Sequence, residues 1–166
     1  QFQLKLYEEI ESAGADLGLK PFGSRALMSM RLEKNWGVWT TDYRPDFTLA
    51  ESGMDFFVQW DRDFIGKTAA LKEKEIGPSK RLTVLSIETD TDVSGDEAVM
   101  HNGICVSYIT SGAYGHFVGE SLAMTYLPVE LIADDVVLQV EILGVFHNAS
   151  IVAKPLYDPT GAKMRE

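Results

Sequence analysis

The sequence has almost no cysteine and is short of positive charge. Cys105 is the one cysteine among 166 residues, which excludes an internal disulfide and a metal site built from several cysteines. Fifteen lysines and arginines stand against 25 aspartates and glutamates, giving a formal charge of -10. Because so negative a surface repels phosphate backbones and anionic lipid, we expect neither nucleic acid nor a membrane as a partner.

Long apolar runs are also missing. No stretch approaches the roughly 20 apolar residues that cross a bilayer, and residues 1–5 lack the apolar segment of a signal peptide. We therefore expect a cytoplasmic protein. The first residue is Gln1 rather than Met, which leaves open that the sequence is a piece of a longer protein.

What the sequence does contain is typical of a folded chain, with 45% hydrophobic and 24% charged residues. Apolar side chains recur at helical spacing over residues 2–13, and Gly14 is placed to end that helix. A buried helix is predicted over 26–33, and a further helix over 67–75 that ends at Gly77-Pro78.

Two more local patterns lie between these predicted helices. Thr48 and Glu51 have the spacing of a capping box, which predicts a short helix there. Residues 55–60 are rich in apolar and aromatic side chains, which predicts a strand.

The second half of the sequence is β-rich. It begins with the strand-like run 82–87 and contains Asn102-Gly103, a strong hairpin signal because both residues tolerate positive φ. Residues 136–143 alternate, and Gly144 leads into 145–153 as a second hairpin. Several short antiparallel strands favour a barrel or a sandwich, since closure hides strand edges.

Several candidate sites have simpler explanations. Gly66-Lys67-Thr68 resembles the end of a phosphate-binding loop, but the glycine required upstream is replaced by Asp61. His101, His116 and His147 lack metal-ligand spacing, so no metal site is predicted. Cys105, within a β-rich run, is expected to be a small buried thiol.

Two arginines bracket the predicted helix 26–33. For Arg31 we favour an internal ion pair with Glu33 or with an aspartate in a loop. For Arg25 we give equal weight to two interpretations. It could form an internal ion pair, or it could bind a ligand carboxylate through two parallel hydrogen bonds. Five aromatic side chains follow in the sequence and offer flat faces on which a heteroaromatic ring could stack, although aromatic residues at this density commonly belong to the hydrophobic core. They are Trp36, Trp39, Phe56, Phe57 and Trp60.

Several segments follow one another in a specific order and spacing: Ser29–Lys34, Trp39, 48–53, 63–67, 109–112, 121–128 and 154–159. Together they resemble the C-terminal part of the glycine-cleavage T-protein (aminomethyltransferase) family. The Ser-Met-Arg-Leu-Glu-Lys form and the Gly-Ala-Tyr-Gly-His loop are most like the folate domain of FAD-dependent dimethylglycine and sarcosine dehydrogenases.

The resemblance implies an α+β fold in two parts. Residues 1–77 would be the C-terminal part of a folate-binding domain with a ferredoxin-like layer. Residues 78–166 would be a small antiparallel β-barrel. Tetrahydrofolate would lie in the channel between the parts, and any FAD would belong to an upstream domain of the same parent chain.

The implied reaction transfers the one-carbon unit released from an N-methylated glycine onto tetrahydrofolate. Carried over by position, Phe56 stands where the family has a folate-stacking tryptophan, and Leu27-Met28 replace an arginine-aspartate pair whose arginine contacts folate. Arg25 would hold a carboxylate in its place. The remaining cofactor-binding candidates are Trp39, Tyr114 and His116, the last two at the mouth of the channel.

No catalytic residue is assigned within the sequence, because the family's catalytic aspartate precedes the first predicted helix. We therefore expect residues 1–166 alone not to turn over. Two alternatives remain open. The barrel could be a noncatalytic docking or scaffold module that has lost folate, as Leu27 suggests, or the parent could be a stand-alone aminomethyltransferase or demethylase of the same fold.

Overall fold

The computed structural model describes residues 2–133 and 135–165, and its α-helices precede its strands along the chain. The helices are α1 (Gln3–Gly14), α2 (Ser24–Glu33) and α3 (Lys67–Ile76), with short 3₁₀ turns at Ala15–Leu17, Asp55–Phe57, Val129–Leu131 and Ala162–Met164. The predicted helices over 2–13 and 67–75 are confirmed to within a few residues. Within the described part of the chain, no helix is both long enough and apolar enough to cross a bilayer.

The prediction that the second helix is buried was wrong for much of its surface. In α2 the buried residues are Ser29, Arg31, Leu32 and Glu33, while Leu27 is 49% exposed. The helix contacts the barrel along one face, so apolar residues on its other faces remain open to solvent. In α1 the apolar residues Leu4, Leu6 and Ile10 are also more than half exposed, as is Phe2 just before the helix.

The segment between α2 and α3 contains turns where the sequence predicted a helix and a strand. Thr48 and Glu51 make the reciprocal hydrogen bonds of a capping box, but the chain forms a turn after them rather than a helix. Asp55–Phe57 is a 3₁₀ turn, so the strand predicted over 55–60 was wrong. The closed barrel offers no free edge with which this segment could pair.

The second half forms a closed barrel of six antiparallel strands, which confirms the predicted α+β class. Around the barrel the order is β1-β4-β3-β2-β5-β6, and β6 pairs with β1 to close the ring. The strands are β1 (Lys80–Ile87), β2 (Ala98–His101), β3 (Ile104–Gly115), β4 (Glu120–Pro128), β5 (Leu138–Ile142) and β6 (Val145–Val152).

Two tight hairpins set the register of the barrel strands. Asn102 and Gly103 have φ of 50° and 75° between β2 and β3, which confirms the Asn-Gly hairpin. Leu143 and Gly144 have φ of 51° and 81° between β5 and β6, which confirms the second hairpin. Cys105 is exposed, contrary to the expected buried thiol, because it lies beside the first turn, where β3 extends beyond its pairing with β4.

The barrel interior is the main core, with Leu85, Val99, Ile109, Leu127 and Val140 fully buried. A second cluster joins α2 to the barrel, because Leu32 packs with residues of β1 and β4 that face out of the barrel. The helical and β parts therefore share buried apolar surface, which resists their separation. The boundary between residues 77 and 78 stays a prediction.

The C-terminal tail returns from β6 to α2. The backbone N–H of Tyr157 donates to the carbonyl oxygen of Glu33 at 3.0 Å. The Nζ atom of Lys34 lies 3.3 Å from Oδ2 of Asp158 and also donates to its carbonyl oxygen. These contacts hold the end of the helix against the end of the barrel.

A substitution at Gly112 in β3 can test how closely the loop between β1 and β2 packs on the barrel. A Cβ atom on Gly112 would lie 2.6 Å from the carbonyl oxygen of Val93, a backbone contact that cannot relax cheaply. We expect Gly112→Ala to lower the free energy of unfolding by about 1–3 kcal/mol in urea denaturation. Gly23→Ala is the matched control, since Gly23 has a negative φ and open space around it; equal effects of the two changes would contradict this packing.

Candidate functional site

A buried ion pair lies at the junction of α2 and the barrel. Nη1 of Arg31 is 2.8 Å from Oδ2 of Asp42, and the two side chains are 6% and 0% exposed. This confirms the internal ion pair predicted for Arg31 and identifies its partner as an aspartate in a loop. The alternative partner, Glu33, instead accepts a hydrogen bond from the backbone N–H of Phe117 at 2.8 Å.

Asp42 receives hydrogen bonds from several segments. Its Oδ1 accepts from the hydroxyls of Thr110 and Ser111 on β3, the latter at 2.6 Å. Its Oδ2 accepts from the Val38 N–H at 2.8 Å as well as from Arg31. Burial lowers the pKa of Arg31, and the charge of Asp42 beside it opposes that shift. Hydrogen bonds and an opposite charge offset the cost of burying a carboxylate, and Asp42 has both.

The loop after α2 carries a cluster of aromatic rings. The ring of Tyr43 lies edge-on to Trp36 and Trp39, with centroid separations of 6.3 and 5.5 Å. The backbone N–H of Gly37 donates to the Tyr43 hydroxyl at 3.1 Å. Burial raises the pKa of the Tyr43 hydroxyl above its ordinary value.

A cavity of about 540 Å³ opens at the seam between this loop and strands β1, β4 and β6. Its wall combines the aromatic rings of Trp36, Tyr43 and Phe56 with polar groups of Asn35 and Thr83. The volume is in the range of small-molecule sites. Flat apolar faces next to a few polar groups suit a heteroaromatic ring with hydrogen-bonding edges.

A second, smaller cavity of about 320 Å³ lies where the start of α2 meets β3 and the loop between β1 and β2. Arg25, Asp92, Tyr114 and His116 line it. The rings of Tyr114 and His116 lie edge-on at 5.1 Å, and the hydroxyl of Ser29 donates to the Tyr114 carbonyl oxygen at 2.5 Å. The cavity therefore brings an arginine, an imidazole and a phenol together.

The five residues predicted from the sequence do not converge on a single cavity. Arg25, Tyr114 and His116 line the small cavity, and Phe56 lines the large one. Trp39 is 71% exposed and contacts Tyr43, but it lines neither of these two cavities. Their role in cofactor binding stays a prediction.

Arg25 lines the small cavity, whereas Leu27 lines neither cavity, so the two side chains do not share the same space. Residues two apart on a helix point to nearly opposite sides, which accounts for this difference.

Sequence reasoning missed Asn35 and Tyr43 as cavity residues and did not identify Asp42 among the possible loop partners of Arg31. Asp42 and Tyr43 follow shortly after the aromatic pair Trp36 and Trp39, and that proximity was an available signal. The partners of Asp42 on β3 are 68 and 69 residues away, beyond any local pattern.

Comparison with protein families gives two matches in succession. The GCVT N-terminal domain matches residues 1–62, and the glycine cleavage T-protein C-terminal barrel domain matches residues 80–158. The chain belongs to the glycine cleavage T-protein family. The resemblance inferred from Ser29–Lys34 and the later segments is confirmed.

Individual T-protein relatives agree with this assignment. Mitochondrial dimethylglycine dehydrogenase of Mus musculus is 37% identical over 97% of this chain, which covers 19% of that enzyme. An aminomethyltransferase of Parasynechococcus marenigrum is 33% identical over 86% of this chain, covering 39% of that protein. The chain therefore spans about a fifth of the length of the first relative and about two fifths of the second.

A solved structure supports the T-protein fold. Glycine cleavage system aminomethyltransferase T from Bartonella henselae superposes with a TM-score of 0.82 at 23% identity. The superposition covers 95% of this chain and 44% of that one. At this identity it establishes the shared fold alone.

The Tyr43 hydroxyl can be tested as the partner of the buried Gly37 N–H. Removing it in Tyr43→Phe leaves that N–H without an acceptor, so we expect a loss of about 1–3 kcal/mol in the free energy of unfolding. Tyr7→Phe is the control, because the Tyr7 hydroxyl makes an exposed 3.4 Å contact with Glu11. Urea denaturation measures both, and a Tyr43→Phe variant as stable as Tyr7→Phe would refute the role of this hydrogen bond.

Proposed function

We propose that the chain is part of a tetrahydrofolate-dependent aminomethyltransferase whose parent carries an upstream FAD-dependent region like that of dimethylglycine or sarcosine dehydrogenases. Family membership and the similarity to a dehydrogenase five times as long support this proposal. The observation that carries it is the large cavity at the seam of loop and barrel, with Tyr43 and Phe56 in its wall. A cytoplasmic location stays a prediction.

The residues of the cavity fit a pterin ring. Phe56 lines the cavity and is 68% exposed, although its ring also packs against Phe57 with a centroid separation of 4.1 Å. The exposed part of the ring would stack on the pterin. Asn35 also lines the cavity, and its buried Oδ1 finds no hydrogen-bond donor among the described residues. An amine or ring N–H of a pterin would satisfy that acceptor.

In the proposed reaction the chain binds and orients the cofactor and shields the transferred group from water. Tetrahydrofolate, when bound, supplies the amine nitrogen that accepts the one-carbon unit. Phe56 and Tyr43 would hold the plane of the ring, and Asn35 would fix its rotation by accepting a hydrogen bond. The barrel strands would exclude bulk water, into which an imine or formaldehyde equivalent from an N-methylated glycine would be lost.

The small cavity would bind the acidic end of the cofactor. Arg25 has no acidic partner within 4 Å among the described residues, so its guanidinium is available for a carboxylate. Tyr114 and His116 line the same cavity and would stand at its mouth. Asp92 lies there too and would limit the number of negative groups that the cavity accepts.

The open cavity favours this proposal over a noncatalytic docking module. A docking module would have the former cofactor space filled by Leu27, Met28 and Met30. None of these three residues lines the large cavity, and of the three only Met28 lines the small one, which remains open at about 320 Å³. A stand-alone transferase or demethylase of the same fold remains the other alternative, and the sequence upstream in the parent gene distinguishes it.

Phe56 and its neighbour Phe57 provide a matched test of folate binding. Both rings are exposed, at 68% and 63%, but Phe56 alone of the two lines the large cavity. We expect Phe56→Ala to weaken tetrahydrofolate binding by the parent protein about tenfold or more, because a stacked heteroaromatic contact is worth about 1–3 kcal/mol. Phe57→Ala removes a ring that packs on Phe56 but does not line the cavity, so it should weaken binding less than Phe56→Ala in anaerobic calorimetric titration. Equal affinities of the two variants, or no binding by the wild type, would count against the proposal.

Arg25 can be tested with a ligand that lacks the glutamate tail. If Arg25 holds a tail carboxylate, Arg25→Ala should weaken the binding of tetrahydrofolate about tenfold and leave the binding of 6-methyltetrahydropterin, which has no carboxylate, unaffected. Lys20→Ala removes an exposed cation of the preceding loop that does not line the small cavity and is the control. An equal loss of affinity for both ligands would show that Arg25 does not bind the tail carboxylate.

A further inference from the structure

We propose that Thr110 and Ser111 are positioning residues that fix the aromatic wall of the large cavity through Asp42. The part of this inference that concerns the cofactor rests on the proposed function. The part that concerns the wall stands on the geometry of the chain. Thr110 and Ser111 lie on the barrel, and neither lines the large cavity. Any effect of their hydroxyls on a ligand there has to pass through another residue.

The first step is the full occupation of the Asp42 carboxylate. One oxygen accepts from the two hydroxyls on β3, and the other accepts from Arg31 and from the loop backbone at Val38. The side chain is completely buried, so water cannot replace a lost donor without a change in packing. The carboxylate thereby ties the loop to α2 and to the barrel at one point.

The second step is the short distance in sequence from this anchor to the aromatic rings. Tyr43 is the next residue after Asp42, and its backbone N–H donates to the carbonyl oxygen of Val38 at 3.1 Å. Trp39 and Tyr43 form an isolated β-bridge, with Thr40 between them at a φ of 69°. A shift of Asp42 therefore moves the backbone that carries both rings.

The third step is a second connection from the same loop to the barrel. The Tyr126 hydroxyl on β4 donates to the Asp42 carbonyl oxygen at 2.9 Å and contacts the Ser52 hydroxyl at the same distance. Ser52 lines the large cavity. The barrel therefore contacts Asp42 through both its carboxylate and its backbone carbonyl oxygen. The hydroxyls of Thr110 and Ser111 make the contacts to the carboxylate.

The experiment uses the tryptophans as reporters. In a Trp60→Phe variant of the 166-residue chain, Trp36 and Trp39 are the remaining tryptophans, and both lie against Tyr43. Thr110→Val and Ser111→Ala remove the two hydroxyls. Thr125→Val and Ser121→Ala are matched controls, because these residues are buried on β4 and donate no hydrogen bond to Asp42. Thr110→Ser keeps the hydroxyl and serves as the rescue variant.

Two measurements are made on each variant: tryptophan quenching on the 166-residue chain carrying Trp60→Phe, and tetrahydrofolate binding on the parent protein. Without ligand, acrylamide quenching of Trp36 and Trp39 should rise about twofold in Thr110→Val and Ser111→Ala, because the loop loses its anchor. With tetrahydrofolate, the dissociation constant should rise about tenfold in the same two variants. The control and rescue variants should stay near the wild type in both measurements, with unfolding midpoints recorded for all.

The outcomes separate this inference from the proposed function. Wild-type quenching in both hydroxyl-deleted variants would overturn the positioning role, and so would equal effects in the controls. If Thr110→Val does not fold, Ser111→Ala and Thr110→Ser decide the question. If the wild type binds no tetrahydrofolate, the proposed function fails, and the quenching comparison still decides whether the hydroxyls hold the wall.

Discussion

The rest of the molecule is arranged around a negative charge held away from water. Asp42 is completely buried, and a carboxylate in that position is stable only where donors surround it. Those donors come from the helix, the loop and the barrel, through Arg31, Val38, Thr110 and Ser111. The need to satisfy this group therefore specifies how the helical and β parts meet. The apolar cluster around Leu32 adds contact area to the same junction.

The large cavity is a consequence of that junction. The aromatic loop and the barrel strands meet at Asp42, and the space left beside their contact is walled by Tyr43, Phe56 and Asn35. The loop supplies flat rings, while the barrel supplies a rigid opposite wall. A site built in this way depends on two parts of the chain that are far apart in sequence, and its shape reflects the accuracy with which they are joined.

Local patterns in the sequence predicted the regular structure well and the site only in part. The Asn102-Gly103 turn and the alternation over 136–143 depend on neighbouring residues. The turn is confirmed, and the alternating segment contains the strand Leu138–Ile142. The predicted strand over 55–60 was wrong, because apolar composition does not reveal whether a sheet edge is available. The partners of Asp42 and the separation of Arg25 from Phe56 depend on long-range packing. No spacing rule within one sequence carries that information.

The closure of the barrel brings its first and last strands side by side. Val152, the last residue of β6, lies opposite Val84 in β1, and the tail beyond it turns back to α2 at Glu33 and Lys34. The polypeptide thus leaves the barrel beside the strand by which it entered. A unit with neighbouring entry and exit can be inserted into or appended to another protein without disturbing its own hydrogen bonding. This geometry suits a module that recurs in polypeptides of very different length.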